Sequence, residues 1–221
     1  MELADQVAAI AAQVVASGAI SANGHGNVSV RVPGRDEIMY STAPTLRGLR
    51  AADVARVALD GTLLEGELPP INAAVVAMHT EMYRVNEQTG CVIHTHSPYA
   101  TAYAAARRPI DCWLEALAMF GLADGVPVTP YAPRGSEQAI AAIRETVRPS
   151  VPAVLLANHG VLVFHRTPEL AVLVGGIVEE AAQAGINAAA LGGAQVIPEP
   201  MRAAALQRAM TFAAAGTVVV E

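Results

Sequence analysis

The chain has 221 residues, 53% of them hydrophobic and 15% charged, enough for one domain with a sizeable core in which Ala, Val and Leu do the packing, since only 4% are aromatic. A net charge of −6 without a run of Lys or Arg argues against a nucleic-acid partner. Two cysteines (Cys91 and Cys112), no leader-like charged segment running into an apolar one, and no uninterrupted apolar window of about 18 residues lead us to expect a soluble cytoplasmic protein without a membrane span.

Residues 2–17 place Leu3, Val7, Ile10, Ala11, Val14 and Val15 at helical spacing, with Gly18 as the stop. A turn-rich loop, Ser21 to Asn27, precedes alternating Val28, Val30 and Val32, which predict a half-buried strand. Glu37 to Ser41 is its expected hairpin partner. Asp53 to Leu59 and Thr62 to Leu64 form a second pair around the Asp60-Gly61 turn. A helix is predicted from about Asn72 to Arg84, a strand over Cys91 to Thr95, and a helix from Pro98 through Ala106. Pro127 to Tyr131 reads as extended, and Ser136 leads a helix to about Val147. Ala153 to Ala157 and Val161 to Phe164 form a hairpin with Asn158-His159-Gly160 at its tip. Thr167-Pro168-Glu169 starts a helix reaching about Ala190, and a last helix spans Pro200 to Ala214. Strands with helices on their faces make one α/β domain over residues 1–221.

The chemistry concentrates in Gly90-Cys91-Val92-Ile93-His94-Thr95-His96-Ser97. In a strand, residues i and i+2 point to the same side, so His94 and His96 leave one face together. His159 closes a second apolar run. Three neutral imidazoles converging on a point hold a divalent transition metal and leave coordination positions for substrate.

Gly24-His25-Gly26-Asn27-Val28-Ser29 followed by Arg31, then His94-Thr95-His96-Ser97-Pro98, Pro130-Tyr131 and Asn158-His159-Gly160, resemble the class II aldolase/adducin-head family in order and spacing, over roughly Leu3 to Gly193. The resemblance implies a three-layer α/β/α fold with a central, mostly antiparallel sheet, and a homotetramer with sites between subunits. It implies a divalent metal on His94, His96 and His159: commonly zinc, with manganese, cobalt or iron in some members. The shared chemistry is lyase chemistry through a metal-stabilised enolate, acting on a small-molecule substrate.

The chain departs from the sugar-phosphate aldolases it resembles at four places. Val75 stands where they carry a metal-binding, acid/base glutamate, with Asn72 one turn earlier on the same helical face. Ala73 and Ala74 replace two phosphate-binding hydroxyl residues. Ser41 to Thr45 lacks the glycine of a phosphate-holding Thr-Gly pair, and Pro44 removes an amide donor. Trp113 matches a proton-donating tyrosine. All four fall on phosphate binding or proton transfer. The expectation is therefore a metal-dependent decarboxylase of a non-phosphorylated hydroxy-aromatic or oxo acid. Asn27, Ser29, Arg31, Asn72 and Trp113 are the expected substrate contacts, and Tyr131 and Glu115 the candidate acid/base groups. Arg31, Arg47, Arg50 and Arg134 are the candidate carboxylate readers. An aldolase on a small oxo or hydroxy compound, a three-histidine iron oxygenase, and a non-catalytic module are the alternatives. His79, on an apolar helix face, is expected to pack or bond locally, and His165 to face solvent.

Overall fold

The computed structural model describes residues 2–214. Its centre is a seven-stranded sheet of β1 (Gly26–Arg31), β2 (Glu37–Ser41), β3 (Val54–Ala58), β4 (Leu63–Glu65), β5 (Cys91–Thr95), β6 (Ala153–Leu156) and β7 (Gly160–His165). The spatial order is β4-β3-β2-β1-β5-β7-β6, and every neighbouring pair is antiparallel. Around it lie α1 (Leu3–Ser17), α2 (Pro70–Val85), α3 (Pro98–Ala106), α4 (Glu115–Met119), α5 (Glu137–Thr146), α6 (Pro168–Ala188) and α7 (Glu199–Ala214). This is the expected α/β/α arrangement.

Alternation along the strands sorts the core into two layers. Cys91 and Ile93 of β5 pack with Val28 and Val30 against Val7 and Ile10 of α1. On the same side, Val161 and Val163 of β7 meet α3, α4, α6 and α7. Val92, Leu162 and Phe164 point the other way, into α2 and α5, where they join Ile38, Tyr40, Val76, Met82 and Ile143. His94 shares the parity of Val92 and so opens onto the α2 side.

The helix starts follow local chemistry. Thr167 caps α6 by accepting from Leu170 N–H, and Ser136 caps α5 by accepting from Ala139 N–H. Gly18 closes α1 at φ 77°. Helix α2 begins at Pro70, two residues before the expected start, because a proline in the first turn loses no intrahelical bond. Helix α4 was not expected: five residues show no readable period, and burial of Leu117 and Ala118 forms it. No described helix is long and apolar enough to cross a membrane.

Candidate metal centre

Three features of the sheet bring the histidines together. His94 is in β5, and His96 follows its end on the same side. Strand β7 pairs with β5 so that Thr95 faces Val161 and His94 faces Leu162. His159, two residues before Val161, therefore stands at the same end of the sheet. Ring centroids lie 5.1 Å apart for His94 and His96, 4.7 Å for His94 and His159, and 5.0 Å for His96 and His159. One ligand nitrogen from each lies within 4.8 Å of the others.

The donor set fits a divalent ion. Val161 O can only accept, so His94 Nδ1–H donates to it at 2.9 Å and Nε2 keeps its lone pair for a metal. Burial holds His94 well below the usual histidine range, reinforced by His159, His96 and His79. Burial, then His25 and Arg134, lowers His96; burial, then His96 and Arg134, pushes His159 down to about 4. All three imidazoles are thus neutral at pH 7, the form that ligates. Gly160 permits the approach: a Cβ there would meet Thr95 O at 2.5 Å and His96 Cδ2 at 3.0 Å.

His94 and His96 open into a cavity of about 340 Å³ whose wall also includes His25, Asn27, Thr42, Pro44, Ile71, Asn72, Val75 and Arg134. Arg134 also borders a smaller adjoining cleft with His159. Asn27 pairs with His94 across β1 and β5, and its Nδ2 donates to Ser41 O at 3.3 Å. Asn72 Nδ2 donates to Thr42 O at 2.8 Å. Val75 presents an apolar side chain to the cavity.

The other expected substrate contacts lie elsewhere. Ser29 and Arg31 share the face of Asn27, but at about 3.3 Å per residue they recede from the site. Ser29 Oγ is buried 2.8 Å from both His79 Nδ1 and Tyr83 OH. Arg31 donates to Thr89 O and Tyr83 O, each at 3.0 Å, and lies over the Tyr83 ring. Trp113 Nε1–H donates to Ala181 O at 2.8 Å, and its ring lines a separate cavity between α3 and α6. Glu115 is exposed at the start of α4, and Tyr131 is exposed with its ring under Arg107. Within one chain neither candidate acid lines the histidine cavity. Among the described residues, the ionisable side chains that do, besides His94 and His96, are His25 and Arg134. His25 lies with its ring 5.9 Å from that of His96. Its place in a loop that also carries two glycines masked it as a site residue. His79 does bond locally, as expected, while His165 is half-buried with Nδ1 accepting from Arg166 N–H.

A family model described as the class II aldolase and adducin N-terminal domain matches residues 5–186. The chain belongs to this family. Class II aldolase-family relatives include both lyase activities. A 5-deoxy-D-ribulose 1-phosphate aldolase of Bacillus thuringiensis serovar kurstaki is 29% identical over 200 residues, 88% of this chain and 89% of that protein. A 3,4-dihydroxyphthalate decarboxylase of Arthrobacter keyseri is 30% identical over 200 residues, 86% of this chain and 81% of that protein. The solved structure of an L-fuculose 1-phosphate aldolase superposes with a TM-score of 0.80 at 23% identity, covering 93% of this chain and 95% of that one. The protein is a class II aldolase-family lyase with a three-histidine metal site.

Proposed function

We propose that this lyase is a decarboxylase of a non-phosphorylated hydroxy-aromatic or oxo acid. The observation that carries the reading is Arg134. It is a guanidinium on the wall of the histidine cavity, and it forms no ion pair with any described carboxylate. The other candidate arginines are engaged. Arg31 is bonded to backbone carbonyls, Arg47 donates to Ala22 O, and Arg50 is paired with Asp53. A planar, exposed fork on the cavity wall, without an ion-pair partner among the described residues, suits a carboxylate.

A divalent ion on His94, His96 and His159, most simply zinc, supplies Lewis-acid polarisation of a substrate oxygen. The protein's own groups do the rest. Arg134 anchors a carboxylate and sets the orientation of the acid in the cavity. Asn27 and Asn72, held by their bonds to Ser41 O and Thr42 O, flank it. Val75, buried, and Ile71 give the ring or chain of the acid an apolar surface. His25, on the cavity wall with its ring 5.9 Å from that of His96, is the proton carrier. The absence of hydroxyls at residues 73 and 74 supports an unphosphorylated substrate, and the decarboxylase relative supports the reaction type. A homotetramer with sites between subunits is part of the proposal, and light scattering checks it.

The test is turnover of a panel of hydroxy-aromatic and oxo acids by zinc-loaded protein, following carbon dioxide release and oxygen uptake together. Release without oxygen uptake is expected. Arg134→Gln should lower kcat/KM by about 10- to 100-fold, equivalent to the roughly 1.5–3 kcal/mol of a hydrogen bond to a charged group. Steady cleavage of sugar phosphates with no turnover of acids overturns the proposal. Substrate-dependent oxygen uptake with iron does so as well.

A further inference from the structure

Among the described residues, two other than glycine have positive φ: Arg107 at 52° and Asn158 at 57°. They are joined, Arg107 Nε–H donating to Asn158 Oδ1 at 2.9 Å. Left-handed backbone costs a residue such as Arg about 1 kcal/mol or more, while Asn adopts it more readily, so the conformation of Arg107 is held by its surroundings. Arg107 ends α3 in this conformation. Asn158 closes the same helix end from outside. Its N–H donates to Ala104 O at 3.0 Å, a carbonyl that also accepts from Arg107 N–H at 3.1 Å, and its Nδ2 donates to Ala105 O at 3.4 Å.

The position of α3 gives this contact its meaning. The helix starts right after His96 and Ser97, where buried Glu179 accepts from Tyr99 N–H at 2.9 Å and Ala100 N–H at 2.8 Å. It ends on Asn158, the residue before His159. One helix is therefore tied at its start beside one histidine of the cluster and at its end beside another. The Arg107 guanidinium also lies 5.5 Å from the centroid of the Tyr131 ring, in the segment that leads to Arg134.

We infer that Arg107 is a positioning residue for the metal site: by holding Asn158 it fixes where His159 stands relative to His94 and His96. The inference rests on the three-histidine metal site and adds a residue that touches neither ion nor substrate. It differs sharply from a plain helix-capping role at one substitution. Glycine is the favoured residue at a left-handed helix end. A capping role predicts that Arg107→Gly is harmless, whereas a positioning role predicts a damaged site in a sound fold.

The experiment is a Co(II) titration of metal-free protein followed by visible absorption, with circular dichroism and thermal melts alongside. Arg107→Gly is expected to keep the wild-type circular dichroism, to weaken Co(II) binding by about 10-fold or more, and to shift the visible bands. Arg107→Lys, which retains a cationic N–H donor, should recover part of the affinity. Asn158→Gly keeps the left-handed turn, deletes the acceptor, and should reproduce the loss independently. Wild-type affinity and spectrum in either glycine variant overturn the inference. No cobalt signal in the wild-type protein overturns the metal site and this inference together.

Discussion

The buried histidine behind the metal cluster allows a quantitative test of the packing. His79 is fully buried on α2, bonded through Nδ1 to Ser29, with its ring edge-on to Tyr40 at 5.3 Å. Nε2 and the Tyr40 hydroxyl are both buried without a partner among the described residues. Burial pushes the His79 pKa from 6.5 down to about 3. The native state thus refuses a proton that the unfolded chain accepts below pH 6.5. Stability is lost as pH falls through that value and continues to fall towards pH 3. Between pH 7 and pH 5 the linkage integrates to about 2 kcal/mol for this one group. The assay is urea unfolding of metal-free protein at pH 7, 6 and 5, for wild type and His79→Asn. The variant's smaller side chain adds a constant offset that drops out of the slope. Wild type should lose about 2 kcal/mol more than the variant over this range. Parallel profiles, agreeing within about 0.5 kcal/mol, refute the reasoning, because a group already protonated or solvated in the native state has no linkage to lose.

Removing any imidazole of the cluster, as in His94→Ala, His96→Ala or His159→Ala, should abolish stoichiometric metal, read by mass spectrometry of protein purified without added metal. Gly160→Ala forces a Cβ to within 2.5 Å of Thr95 O and 3.2 Å of His94 Cε1. It should destabilise the fold by about 1–3 kcal/mol and weaken metal binding, checked by thermal melts and a zinc competition assay. Val75→Glu places a carboxylate on the cavity wall. Zinc should bind more tightly, while KM for acid substrates should rise by about 10-fold through like-charge repulsion, read in steady-state kinetics.

The strands of the sheet were legible because their alternation has a period of two and their turns carry Gly, Pro and Asp. The cluster was legible because i and i+2 in a strand must share a face, and because a hairpin tip carries His159. What failed was depth along a face. Asn27, Ser29 and Arg31 are equivalent by parity, yet only the first stands level with His94; a register with β5 that lies more than 60 residues away decides this. Arg134 could not be separated from three other arginines, since the partners that engage Arg31, Arg47 and Arg50 are tertiary or conformational. The left-handed turn at Arg107 left no mark either, because the usual glycine signal is missing there.

The pairing of β5 with β7 joins His94 and His96 to a histidine beyond α3, α4 and α5. A bound ion would therefore act as a removable cross-link across that whole insert, complete only in the folded chain that brings His159 to His94 and His96. At a free-ion concentration 100 times Kd it adds about 2.7 kcal/mol to stability. The supply of metal should then set how long the protein survives proteolysis as well as how fast it turns over, so in a metal-starved cell the amount of protein should fall together with its activity.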